Sequence, residues 1–237
     1  MVIGPFINAG AVLLGGVLGA VLSQRLPERI RSSMPSIFGL ASLGIGVLLV
    51  IKCANLPVMV LATLLGALIG EFCYLEKGIS GAVGKAKNLI SRPGKAKNDS
   101  HETFIQNYVA IIILFCASGT GIFGSMQEGM TGDPSILIAK AFLDFFTATI
   151  FATTLGIAVA AICVPMLAIQ LALASCATLI LPFTTAAMMA DFTAVGGLLL
   201  LATGLRICGI KMFAVVNMLP ALVLAMPLSA LWTHFFA

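Results

Sequence analysis

Charge is what this chain has least of. Of 237 residues, 9% are Asp, Glu, Lys or Arg, whereas 60% are hydrophobic. A soluble domain carries about 25% charged residues. With a mean hydropathy of +1.12, the composition excludes a cytosolic globular enzyme and a disordered chain. Histidine is nearly absent, with only His101 and His234. The six cysteines (Cys53, Cys73, Cys116, Cys163, Cys176 and Cys208) lie in or beside apolar runs, and no two are spaced as C-x-x-C. They read as small apolar packing groups, so neither a metal site nor a disulfide-stapled secreted module is expected. No P-loop, HExxH, nucleophile elbow or paired-carboxylate spacing occurs, so neither an enzyme nor a cofactor is expected. The net charge is only +4, and most of the basic residues sit between apolar runs. A nucleic-acid partner is not expected.

What is there is long apolar sequence. A helix needs roughly 20 apolar residues to cross a bilayer. Eight such helices use about 160 residues, which leaves no room for a large soluble domain in a chain of 237. Spans are expected near 4–22, 34–53, 57–75, 104–124, 136–163, 166–189, 192–215 and 218–236. Pro165 and Pro182 bracket the sixth; as a re-entrant segment it would leave seven full spans. The runs are continuous rather than alternating, which excludes a β-barrel. The expected fold is an all-α polytopic transmembrane bundle, a single domain over 1–237 with one basic loop near 76–102.

Lys and Arg set the orientation. No basic residue precedes the first apolar run, so it is a span rather than a cleaved signal. Arg25, Arg29 and Arg31 lie between spans one and two, and Lys77, Lys85, Lys87, Arg92, Lys95 and Lys97 lie between spans three and four. The segment from Gly124 to Ser135 has no Lys or Arg and contains Glu128 and Asp133. The positive-inside rule then places the N-terminus outside the membrane and the basic loops in the cytoplasm. The Lys77–Lys97 loop reads first as this topology signal, with anionic headgroups as its alternative partner. Arg206 and Lys211 fall in the inner half of span seven and snorkel inward.

Local signals fit helices joined by tight turns. Asp133 is an expected N-cap with Pro134 at the first helical position, and Asn55-Leu56-Pro57 is a similar start. Asp191 is an expected cap for span seven. Gly39-Leu40 through Ile51-Lys52 and Asn55-Leu56-Pro57 echo Gly197-Leu198 through Ile210-Lys211 and Asn217 to Pro220. Spans two and three thus echo spans seven and eight in opposite directions, the arrangement of an inverted repeat. Gly15 and Gly19, and Ala62, Gly66 and Gly70, are spaced for close helix packing, within the protomer or in a homo-oligomer.

Charge inside a span is costly, at least about 2.5–3.5 kcal/mol at the bilayer centre. Asp144 lies roughly 12 Å into span five at 1.5 Å per residue. Lys140 is one turn earlier on the same face. A polar centre of Lys140 and Asp144 that binds an ion or small solute competes with an ion pair that merely tolerates burial. Gln170, Asn8 and Glu71 are second-rank lining candidates, and the nearby threonines are expected to bond back to their own helices. Transport or conduction of an ion or small solute across the lipid bilayer is the first expectation. A non-transporting oligomeric scaffold or sensor is the alternative.

Several short stretches occur in a specific order. They are Gly4-Pro5-Phe6-Ile7-Asn8 with Gly15-Gly16 and Gly19, then Gly70-Glu71, Phe115-Cys116, Gly124-Ser125, Gly132-Asp133 and Lys140 to Asp144. Gln170, Gly196-Gly197 and Asn217 to Pro220 complete the series. In this the chain resembles the YqgA/YdfK family of bacterial inner-membrane proteins, a domain family of unknown function. The run Ala117-Ser118-Gly119-Thr120-Gly121 departs from that family's Gly- and Met-containing stretch. The resemblance implies a membrane fold of transporter outline and supplies no activity. With eight spans the C-terminus lies outside, so a C-terminal fusion to a reporter that works only in the cytoplasm is expected to be inactive. An active fusion overturns the eight-span topology.

Overall fold

A computed structural model describes residues 2–22, 27–78, 108, 111, 112, 115, 116 and 118–236. Arg25, His101 and the basic residues Lys85 to Lys97 lie outside these. The main helices are α1 (Gly4–Leu22), α2 (Glu28–Val50), α3 (Leu56–Phe72), α4 (Gly119–Thr131), α5 (Ser135–Leu155), α6 (Cys163–Ile180), α7 (Ala186–Ile207) and α8 (Pro220–Phe236). Short 3-10 segments, Gly156–Ile162, Leu181–Phe183 and Val215–Met218, join the later ones. Tyr108, Ile111, Ile112, Phe115 and Cys116 are also helical. Among the described residues, five segments are long and apolar enough to cross a membrane: Gly4–Leu22, Ser33–Val50, Ser135–Phe183, Ala186–Ile207 and Val215–Phe236. Ser135–Phe183 contains two helices, and Leu56–Phe72 is slightly shorter than the rest. Large apolar side chains such as Leu14, Leu48, Phe72, Phe142, Val164 and Val223 face outward, as a surface solvated by lipid requires. The fold is an all-α membrane-type bundle.

Several boundaries differ from the sequence reading, for local reasons. The stretch 124–131, expected as a loop, is helical and largely buried, and α4 ends at Gly132 with φ +73°. The turn between spans five and six falls at Gly156, with φ +66°, rather than near Pro165. Pro165 sits in the first turn of α6, where its missing N–H costs nothing. That helix is unbroken over 18 residues. At the start of α5 the cap is shifted by one residue. The Asp133 carboxylate accepts from the Ser135 amide at 3.0 Å and from its hydroxyl at 2.5 Å, which holds Asp133 below the usual carboxylate range. Lys211 lies beyond the end of α7 and is exposed.

The helices pack as two groups of four. In the first, α1 lies along α5, and α4 along α6. A Cβ on Gly15 would stand 2.3 Å from the Phe145 carbonyl oxygen, and one on Gly19 2.1 Å from that of Thr149, so α1 and α5 run parallel at backbone contact. Gly129 meets the Ala174 carbonyl in the same way. In the second group α2 lies along α7 and α3 along α8, both antiparallel. The α2–α7 contacts are reciprocal. Gly39 abuts the Gly204 carbonyl and Cys208, while Gly197 abuts the Gly46 carbonyl and Val50. Gly46 meets Leu201, and Gly204 meets Leu43. The glycine faces noted in the sequence are thus covered within the chain. The two groups meet where α4 lies on α7, with the Phe123 ring over Gly196 and beside Phe192. The α2–α5 approach is looser.

Buried acids fasten the helix starts. Glu128 is fully buried and accepts from the Ile3 and Gly4 amides at 2.7 and 2.9 Å. It thereby satisfies orphan donors of α1 and places negative charge at that helix's positive pole. Asp191, expected as a cap of α7, instead lies inside α7, whose N-cap is Thr185. It accepts from the Ala54 and Asn55 amides at 3.1 and 2.7 Å, from Asn55 Nδ2 at 3.0 Å and from the Ser229 hydroxyl at 2.6 Å. Asn55 precedes α3 as expected, but its side chain makes no cap bond to that helix. At the opposite end Arg206 binds Glu76 at 2.8 Å and the Phe213 carbonyl at 3.0 Å.

Glycine at these contacts is a steric requirement. A Cβ on Gly70 would sit 1.9 Å from the Asn217 carbonyl oxygen, whereas Gly44 has nothing within 4 Å. Gly70→Ala is expected to cost about 1–3 kcal/mol and Gly44→Ala to be neutral or slightly stabilising. Thermal unfolding of the two purified variants in detergent checks this, and equal transitions would contradict the packing.

Candidate functional site

The fourth span is broken. Helical backbone reaches Cys116, Ser118 is extended (φ −73°, ψ 135°), and a new helix begins at Gly119. The Ser118 hydroxyl accepts from the Gly121 amide at 3.1 Å, an N-cap bond. The first N–H groups of a helix have no partner in the helix itself. Here they open beside Lys140 and Asp144. Non-helical backbone at membrane depth is tolerated where it is buried in protein or lines a cavity.

The second condition holds here. A cavity of about 330 Å³ lies between the two helix groups. Ser118 and Thr120 of the α4 start line it, with Lys140, Asp144 and Thr147 of α5. Ser42 of α2 and Thr203 of α7 face them, and Phe38, Phe115, Leu143, Ile150, Phe151 and Ile207 supply apolar wall. Lys140 and Asp144 are 3% and 8% exposed and form an ion pair across one helical turn. The Lys140 ammonium also stands 5.9 Å from the Phe115 ring centre, within cation–π range.

Two more predicted residues converge on this pair. Asn8 of α1 is fully buried and lies near Asp144, while its Nδ2 donates to Met166 Sδ at 3.6 Å. Gln170 of α6 is 3% exposed, and neither end of its amide has a partner. A Cβ on Gly121 would stand 3.4 Å from Gln170 Nε2 and 2.9 Å from Lys140 Cε, so the absent side chain lets both approach the helix start. Glu71 does not join them; it is exposed at the last turn of α3. Thr147, Thr149, Thr153 and Thr154 donate to carbonyls of their own helix, as expected. Residues that the sequence reading missed are Thr120, Ser42 and Thr203, and the role of Ser118 as a cap. The one available signal was a Ser followed by Gly-Thr-Gly inside an apolar run. Among the described residues no three His, Cys, Asp or Glu side chains are grouped for a metal.

A family profile described as "Protein of unknown function (DUF554)" matches residues 3–230. The chain belongs to this family. It is 78% identical over the full length of both chains to "Uncharacterized protein YqgA" of Escherichia coli (strain K12). It is 24% identical, over 93% of each chain, to "Uncharacterized membrane protein YdfK" of Bacillus subtilis (strain 168). No solved structure matches. The family carries no assigned activity, so function has to be argued from the site.

The Lys140–Asp144 pair has a testable energetic signature. Removing one partner of a buried pair leaves an uncompensated charge and costs about 3–5 kcal/mol, whereas replacing both with apolar groups is often neutral. Lys140→Met alone is expected to unfold at a much lower temperature than the parent, and Lys140→Met/Asp144→Leu to recover most of the loss. A double variant as unstable as the single one would show that the pair is not coupled.

Proposed function

We propose that the chain is a small membrane carrier for an ion or small solute, with Lys140 and Asp144 as its binding centre. The observation that carries this reading is the cavity reaching that pair at the start of a broken helix. A scaffold would close over a tolerated ion pair. A cavity lined by both charges, with an unpartnered Gln170 amide close to Gly121 in the first turn of α4, instead favours a visiting polar species. Discontinuous helices near the bilayer midplane, at the interface of related halves, are where carriers bind their solutes.

The reading includes an inverted repeat. Gly39, Leu43, Gly46 and Val50 contact α7 as Gly197, Leu201, Gly204 and Cys208 contact α2. Asn8 and Met166 touch across the same interval of 158 positions. A pseudo-two-fold axis through these contacts relates α1 to α6 and α2 to α7, and exchanges α4 with α5. Under that exchange the tight α4–α7 contact corresponds to the looser α2–α5 one, where the cavity lies. Rocking the first helix group over the second closes one and opens the other, which is alternating access. In the orientation set by the basic loops, the cavity lies toward the cytoplasmic side of an inner membrane. No enzymatic step, cofactor or nucleic acid enters this mechanism, and the lipid bilayer is the surrounding partner.

Accessibility tests it. In a background with the six cysteines changed to serine, Thr203→Cys is expected to react with a membrane-impermeant thiol reagent from the cytoplasmic face. Thr193→Cys, at a buried position of α7, is expected to stay protected from that face. A Thr203→Cys protein inert from both faces of the membrane overturns the carrier reading.

A further inference from the structure

We infer, building on the carrier reading, that the solute is a small monocarboxylate with a short apolar tail, bound at the start of α4 and taken up with one proton on Asp144. The argument begins with charge. The empty centre holds one ammonium and one carboxylate and is neutral. A neutral sum is what a membrane-depth site can sustain, because an uncompensated charge there is costly. A cation would have to displace Lys140 from Asp144 and would leave two positive charges on one carboxylate. An anion meets three groups of the right sign or polarity: the Lys140 ammonium, the free N–H groups of the α4 start and the Ser118 hydroxyl. A helix start favours negative charge through its dipole and its unfilled donors.

The helix start does not stand alone. Gln170 is nine-tenths buried, has no partner at either amide atom, and points its Nε2 at Gly121 in the first turn of α4. An unpaired amide in an apolar interior is costly, and an oxyanion held at the start of α4 would give its N–H a partner. The rest of the cavity decides the shape of the solute. Phe38, Phe115, Leu143, Ile150, Phe151 and Ile207 offer no hydrogen bonds. About 330 Å³ is far more than a halide fills, so the anion has an apolar remainder.

The proton follows from the same sum. A carboxylate placed on Lys140 faces Asp144 within one helical turn. The loaded centre stays neutral only if Asp144 accepts a proton from water, giving ammonium, solute carboxylate and neutral acid. The groups that face Asp144 are Lys140 on its own helix, the neutral Asn8 amide of α1 and the Cys116 thiol. Ser118 and Thr120 of α4, Thr147 of α5, Ser42 of α2 and Thr203 of α7 line the same cavity, and none of them carries charge. Asp144 is thus the group that takes the proton, and transport is electroneutral.

Calorimetry on the purified full-length protein tests this with sodium butyrate as the probe, in two buffers of different protonation enthalpy. Sodium chloride and ammonium chloride serve as comparison titrations at equal ionic strength. One proton taken up per butyrate is expected, with affinity falling about tenfold per pH unit where Asp144 of the empty protein is ionised. Asp144→Asn is expected to bind butyrate with no proton uptake and no such slope. Lys140→Gln/Asp144→Asn keeps the site uncharged, and is expected to weaken butyrate at least tenfold while its thermal transition stays cooperative. Butyrate binding without proton uptake in the parent, or unaffected by the double variant, overturns the inference. Asp144-dependent binding of ammonium or sodium in place of butyrate overturns the solute class and leaves the carrier standing. No binding by any probe, with Thr203→Cys still reactive, defeats this inference alone. The same silence with Thr203→Cys inert defeats the carrier reading as well.

Discussion

A carboxylate in an apolar interior must be answered by donors or by opposite charge, and three such carboxylates organise this molecule. Glu128 takes the start of α1, and Asp191 takes the start of α3 together with Asn55 and Ser229. Each joins a buried acid to a helix pole that would otherwise carry unfilled donors. Asp144 is different. Its charged partner is a lysine one turn away, and next to that lysine a helix start is left for something else. Two of the acids are committed to architecture, while the third has a partner that can be shared.

Glycine sets how that architecture is divided. Wherever α1 meets α5, α2 meets α7 or α3 meets α8, a missing Cβ allows backbone contact. Van der Waals packing of this kind is what associates helices in lipid, where the solvent is as apolar as the side chains. Such seams lie within each group of four. Between the groups the contact is made by aromatic and aliphatic side chains, with a cavity alongside. The close backbone packing is thus concentrated within each group.

The helical membrane-type fold was legible in the sequence because hydropathy is a property of composition and run length. Lys140 and Asp144 were legible because a charge in an apolar run stands out, and Gln170 and Asn8 for the same reason. What escaped was non-local. The helical reach of 124–131 was hidden by its Gly, Gln and Glu residues, which suit a loop until Glu128 is seen to cap α1. Asp191 looked like a cap for its own helix because sequence shows only neighbours; its actual partners lie across the bundle. Glu71 drew attention by its charge, yet it sits at an exposed helix end. The break at Ser118 needed a reading of Ser-Gly-Thr-Gly as a helix start rather than as a change in composition.

Asp191 engages two distant stretches of chain, Ala54-Asn55 and Ser229, through both of its oxygens. Shearing α3 along α7 would break three charge-assisted bonds at once, and shearing α8 the one from Ser229. The ring of Phe123 on Gly196 has no such bond to lose. The four-helix group anchored by Asp191 is therefore tied more firmly within itself than to the group that meets it through that aromatic contact.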